Sequence, residues 1–151
     1  MKTITDKITV KAFFDGTCGP ENPGGQMGIG VFIEHPELGL YWNKGIIGRP
    51  NNTIIIAEYI AFIAILKHLK DAKHKNIVIK GVSQIAVNQM NKSWGIKEGM
   101  YRAYALDAKE LLTRLKKTNN VDVLWVPKQL NLAARYLSKK GIASLREKPA
   151  K

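Results

Sequence analysis

Cysteine is nearly missing from this sequence: Cys18 stands alone among 151 residues. One thiol can make neither an intramolecular disulfide nor a Cys-x-x-Cys metal site, which points to a reducing compartment, with a cytoplasmic location the simplest expectation. No run of eighteen apolar residues occurs, and Met1 to Val10 holds no apolar h-region, so neither a membrane span nor a secretory signal is expected. Gly/Ser-rich, Gln/Asn-rich and Pro-rich stretches are missing, as are internal repeats, and the length suits one domain. That domain is expected over residues 1–143, followed by a polar tail, 144–151, with too little apolar content to order itself.

Acidic residues are also scarce. Twelve Asp and Glu face 24 Lys and Arg, a formal charge of +12 and a pI of about 9.9. Such an excess concentrates polyanions around a protein, and nucleic acid is the commonest of them, although a solvated lysine face produces the same count.

What the sequence does contain is a change of period. Ile8 to Phe14, Gly28 to Glu34 and Gly39 to Gly48 alternate and are rich in β-branched and aromatic residues, with turn signals between them, and predict an antiparallel meander. From Thr53 the apolar residues Ile56, Tyr59, Ile60, Ile63, Leu66 and Leu69 recur at helical spacing. Asn76 to Lys80 reads as a buried strand, leading through Gly81 into a helix at Val82, Ile85, Ala86 and Met90. A third helix is predicted over Met100 to Lys116, a last strand over Val121 to Val126, and a final helix over Leu130 to Lys139. This order describes a mixed sheet with helices on its faces. Ligands of such sheets gather at the carboxyl ends of the central strands.

Four segments in this order resemble type 1 ribonuclease H and together cover nearly all of residues 8–140. Phe14-Asp15-Gly16-Thr17-Cys18-Gly19-Pro20-Glu21-Asn22-Pro23-Gly24-Gly25 is similar to the family's strand-end motif, and Ala57-Glu58-Tyr59 to its helix motif. Gly81-Val82-Ser83-Gln84, with Trp94 beyond it, resembles the strand-to-helix motif, and Trp125-Val126-Pro127 with Asn131 and Ala134 the closing motif. The resemblance implies an α/β, ribonuclease H-like mixed five-stranded sheet, three antiparallel strands then two further strands, flanked by helices. It also implies an endonuclease that cuts the RNA strand of RNA/DNA hybrids with Mg²⁺ or Mn²⁺ held by four carboxylates. Two ions about 3.5–4 Å apart activate the attacking water and neutralise the leaving oxygen, and hard cations want oxygen ligands.

Only two of those carboxylates remain, Asp15 and Glu58. Val82 stands where the third is expected and Arg135 where the fourth is. Valine offers no metal ligand, and arginine brings a fixed positive charge. At ~4 Å and an effective dielectric of about 20, a carboxylate and a guanidinium attract by about 4 kcal/mol before desolvation. Arg135 is therefore expected to pair with Asp15 and displace a weakly held ion. No cofactor is expected, and any metal would rest on Asp15 and Glu58 alone.

By the same resemblance, Gly16, Thr17 and Cys18 lie beside the RNA strand, where 2′-hydroxyls tell RNA from DNA. Asn22, Ser83, Gln84 and Asn131 join them as nucleic-acid contacts, and Thr53 is a phosphate contact in an ungapped register. A gapped register uses Asn51-Asn52 in its place. The expected function is binding of RNA/DNA hybrid or another duplex without efficient cleavage. Two alternatives stand beside it: an active metal-dependent ribonuclease H, and a protein-interaction subunit whose charge only keeps it soluble. Among the other residues, His35, His68 and His74 read as solvated, Cys18 as packing, and Trp125 as core. Trp94, Tyr101 and Tyr104 fit a core face better than a stacking platform.

Overall fold

The computed structural model describes residues 8–146. Chain order runs β1 (Val10–Gly19), β2 (Gln26–Glu34), β3 (Leu40–Ile46), α1 (Ile54–His68), β4 (Asn76–Gly81), α2 (Gln84–Met90), α3 (Arg102–Lys116), β5 (Asn120–Trp125), a 3₁₀ turn (Lys128–Leu130) and α4 (Leu132–Arg146). The strands form one sheet in the order β3-β2-β1-β4-β5. β1, β2 and β3 pair antiparallel, while β4 pairs parallel to β1 and β5 parallel to β4. This is the mixed five-stranded sheet expected from the sequence.

Alternation along β1 sorts its side chains between two layers. Val10, Ala12 and Phe14 are fully buried toward α1, whose Ala57, Ala61, Phe62 and Ile65 are equally buried, and α3 packs on the outside of α1. The face of α1 against the sheet is thus turned from the expected stripe, and Ile60 and Ile63 are only half-buried. A helix apolar nearly all round carries no single period to read.

Asp15 points to the opposite face, where α4 lies. There the sheet offers glycines: a Cβ at Gly28 would stand 1.9 Å from Ser138 O, one at Gly30 2.1 Å from Ala134 O, and one at Gly45 2.2 Å from Gly141 O. Backbone therefore lies almost directly on backbone. Beyond the start of α4 that face is less covered. Phe13 stacks on Phe32 (5.9 Å between ring centres), Phe32 meets Tyr41 edge-on (5.9 Å), and Lys80 sits over the Phe13 ring (5.6 Å).

Three expectations need correcting. α4 continues past Lys139 into the segment expected as tail, because Ile142 is buried and Leu145 reaches over Gly45; residues 147–151 lie outside the described residues. Trp125 is 46% exposed, since it ends an edge strand beyond the cover of the helices. His35 is buried, and its Nδ1 accepts hydrogen bonds from the backbone N–H groups of Glu37 and Leu38 at 3.1 Å each.

Gly30→Ala forces the added methyl group into the Ala134 carbonyl. Stability is expected to fall by about 1–3 kcal/mol or more, seen as a lower urea midpoint at unchanged slope. An unchanged midpoint would contradict the close seating of α4.

Candidate functional site

The carboxyl ends of β1 and β4 open into a cleft of about 550 Å³ whose walls include α1, α4 and the start of α2. Asp15 and Glu58 share its floor, and Val82, Ser83, Gln84, Trp94, Lys128, Arg135, Ser138 and Lys139 line the rest with Gly16 and Thr17.

Gly16 explains how the acids meet. A Cβ there would lie 2.3 Å from the backbone of Ala57 and Glu58, so only glycine lets α1 rest against the end of β1. Its backbone N–H lies beside the Glu58 carboxyl group and partly opposes the rise in that group's pKa. Glu58 is 3% exposed, and its Oε2 is buried without a hydrogen-bond partner. Burial, reinforced by the nearby Asp15 charge, pushes its pKa well above the ordinary carboxylate value. Asp15 is raised too, mainly by burial, against the opposing effects of the Ser138 hydrogen bond and of Arg135, Lys139 and Lys128.

The partner of Asp15 is not the expected one. The Ser138 hydroxyl hydrogen-bonds Asp15 Oδ2, and Arg135 forms no ion pair with either acid. Arg135 acts on Asp15 through space, together with Lys139 and Lys128. The expected Arg135–Asp15 pair is thus replaced by a hydroxyl one turn later on the same helix. Even with both acids ionised, the three cations leave the lining net positive.

These residues do not fit a two-metal centre. No group of three or more His, Cys, Asp or Glu suited to a metal occurs among the described residues. Val82 supplies no oxygen ligand from its side chain, and its carbonyl accepts a hydrogen bond from Trp125 Nε1 at 3.0 Å. Asp15 is engaged by Ser138, and the fixed charges around it repel a divalent cation.

The remaining expected contacts divide. Thr17, Ser83 and Gln84 line the cleft, although the Ser83 hydroxyl accepts from Ala86 N (3.1 Å) as the cap of α2. Asn22 and Thr53 lie outside it: Asn22 Oδ1 accepts from Ile54 N and Thr53 Oγ1 from Ile56 N, each at 3.2 Å, so both satisfy the start of α1. Asn52 is buried and donates to the carbonyls of Gly25 (2.9 Å) and Ile47 (2.8 Å), an internal strut in either register. Cys18 and Asn131 turn inward. The thiol donates to Glu21 O (3.3 Å), and Asn131 Nδ2 donates to Phe14 O (2.9 Å), tying the start of α4 to β1.

Lys128, Ser138 and Lys139 belong to the cleft although no motif in the sequence marks them. Their signal is helical spacing, since Ser138 and Lys139 follow Arg135 by three and four residues and so share its face. Trp94, 48% exposed, lies on the cleft wall rather than in the core, and Tyr104 is 37% exposed. Tyr101 is held inside: it stacks on Tyr59 and accepts from Gln89 Nε2 (3.0 Å), while the Tyr59 hydroxyl donates to Gln89 Oε1. This network fastens the loop that carries Trp94 to α1 and α2.

Two outcomes follow from the buried acids. A carboxyl whose pKa is raised by folding contributes most below its unfolded value and loses that contribution as pH climbs to the folded one. Glu58→Gln, which does not titrate, should therefore gain stability over the parent as pH rises above 4.5, reaching on the order of 1–3 kcal/mol near neutrality. Urea denaturation of both proteins below and above that pH checks it, and a gain that is largest in acid would refute it. Placing carboxylates at the two positions where the family resemblance implies them, with Val82→Asp and Arg135→Asp, leaves Ser138 on Asp15, so adding Ser138→Ala should tighten Mn²⁺ binding further in calorimetric titration. Equal affinity for the double and triple variants would show that Ser138 is no obstacle.

Comparison with known proteins agrees with this geometry. The family model described as reverse transcriptase-like matches residues 13–141. Ribonuclease HI of Halobacterium salinarum is 30% identical over 134 residues, 88% of this chain, and the chain spans only 64% of that relative's length. The crystal structure of ribonuclease H1 from the same archaeon superposes with a TM-score of 0.73 at 27% identity, covering 91% of this chain and 99% of that one. LC11 ribonuclease H1, solved in complex with an RNA/DNA hybrid, superposes with a TM-score of 0.74 at 22% identity, covering 92% and 100%. With the family model spanning most of the chain and the ribonuclease H fold reproduced in both structures, this protein belongs to the reverse transcriptase-like family and is a ribonuclease H-like domain.

Proposed function

We propose that this chain binds RNA/DNA hybrid, or another nucleic-acid duplex, in the cleft at the end of β1 and does not cut it efficiently. One observation carries the reading: Asp15 and Glu58 line the cleft together with three cations, and Val82 and Arg135 stand there at the positions where the family resemblance implies two further carboxylates. Phosphodiester cleavage in this fold needs clustered oxygen ligands for divalent ions, and this donor set lacks them. Binding needs only positive charge and groups able to reach the sugar edge. The overall charge of +12 supplies the first, and Thr17 and Gln84 on the cleft wall the second. A similar protein, LC11 ribonuclease H1, has been crystallised with an RNA/DNA hybrid, which supports the same class of ligand here. The lone buried thiol, Cys18, fits a reducing compartment such as the cytoplasm.

Fluorescence anisotropy with a labelled hybrid should show binding that weakens at least about tenfold between roughly 50 and 200 mM salt, with negligible cleavage in Mg²⁺ or Mn²⁺. Turnover abolished by Asp15→Asn would establish an active nuclease instead. Weak, salt-insensitive binding to every nucleic acid tested would favour a protein-interaction subunit.

A further inference from the structure

The three cations of the cleft lack partners. Arg135, Lys139 and Lys128 take part in none of the ion pairs among the described residues, which are Lys11–Glu34, Arg102–Glu98 and Arg114–Glu110. Arg135 and Lys139 stand four residues apart on α4, where like charges repel. Lys128 faces the same cleft from the 3₁₀ turn. An anion held between them would relieve their mutual repulsion, since Asp15, which they reach only through space, and Glu58 are buried and form no ion pair with them.

We propose that the cleft holds a backbone phosphate of the bound nucleic acid directly on Arg135, Lys139 and Lys128, with no metal ion between. This deepens the proposed function and rests on it. Arg135 is half-buried and its planar guanidinium matches two phosphate oxygens at once, whereas the two exposed lysines supply point charges that adapt to the strand. Trp94, 48% exposed on the wall, presents a ring to a sugar or base beside that phosphate. Where a metal-dependent nuclease binds its phosphate through cations borrowed from solution, this site carries its own. A divalent ion is then a competitor, screening the phosphate like any other salt.

The test measures affinity of the full chain for a short labelled RNA/DNA hybrid by anisotropy, in Mg²⁺ and in EDTA at matched ionic strength. Affinity should be no weaker in EDTA. Arg135→Gln with Lys139→Gln should weaken binding at least about tenfold and flatten the dependence of log affinity on log salt by about 0.9 for each phosphate no longer neutralised. Lys128→Gln, on the exposed turn, should act in the same direction and guards against a folding defect at half-buried Arg135. Lys117→Gln, distant on the exposed end of α3, should change affinity much less. Hybrid binding that requires Mg²⁺, or that keeps its affinity and salt slope in both cleft variants, overturns direct phosphate binding while leaving the proposed function standing. A parent protein that binds neither the hybrid nor any other duplex overturns both.

Discussion

Two carboxyl groups share a buried floor with too few ligands around them, and most of what distinguishes this domain follows from that. Burying an ionised carboxylate without a partner is costly, so the group gains a proton, a hydrogen bond or a nearby cation. Here the three answers are distributed. Glu58, deeper and with one oxygen unpartnered, is pushed toward its neutral form. Asp15 takes a hydroxyl from Ser138 and the field of three basic side chains. Asp15 is thereby satisfied within the protein, whereas Glu58 keeps one oxygen unpartnered.

That settlement depends on how closely α4 approaches the sheet. Gly28, Gly30 and Gly45 bring helix backbone onto strand backbone, and Ser138 is one of the residues seated on them. A side chain as short as serine reaches Asp15 only from such a distance. The same seating turns Arg135 and Lys139 toward the mouth of the cleft, and Asn131 pins the first turn by its bond to Phe14 O. The backbone that carries Arg135 and Lys139 is therefore rigidly placed at the cleft.

Much of this was legible in the residues themselves. Asp15, Glu58 and Val82 sit inside local motifs whose neighbours, Gly16 and Gly81 above all, have packing reasons of their own: a Cβ at Gly81 would strike the Phe14 ring at 2.4 Å. The antiparallel meander of β1, β2 and β3 followed from alternation and turn signals, and the mixed five-stranded sheet from the family resemblance, whereas the parallel pairing of β4 with β1 and of β5 with β4 came only from the structure. Ser138 went unread: helical spacing places it on the face of Arg135, but its bond to Asp15 is a tertiary contact that spacing does not supply. Arg135 was located but wrongly paired, since sequence shows which charges exist and not how far a side chain stands from its neighbour. Trp125 has the strand parity of buried Val123, yet it is exposed, for parity assigns a face and says nothing about whether a helix covers it. Asn22 and Thr53 sit where ligand contacts were expected and are occupied by the helix start they cap.

The adjacent phenylalanines of β1 place one large ring on each face of the sheet, Phe14 in the core and Phe13 in the row with Phe32 and Tyr41. At this pair alone a slip by one residue would exchange one hydrophobic side chain for another, since Lys11, Asp15 and Thr17 fill the rest of the Phe13 face. In β2, Gly28 and Gly30 alternate with Met27, Ile29 and Val31, and the helix above leaves no room for even a methyl group at the glycines. Sliding that strand by one position would drive three bulky side chains into the backbone of α4. The glycine column thus works as a key for strand alignment, admitting the native pairing and rejecting its nearest competitors during folding.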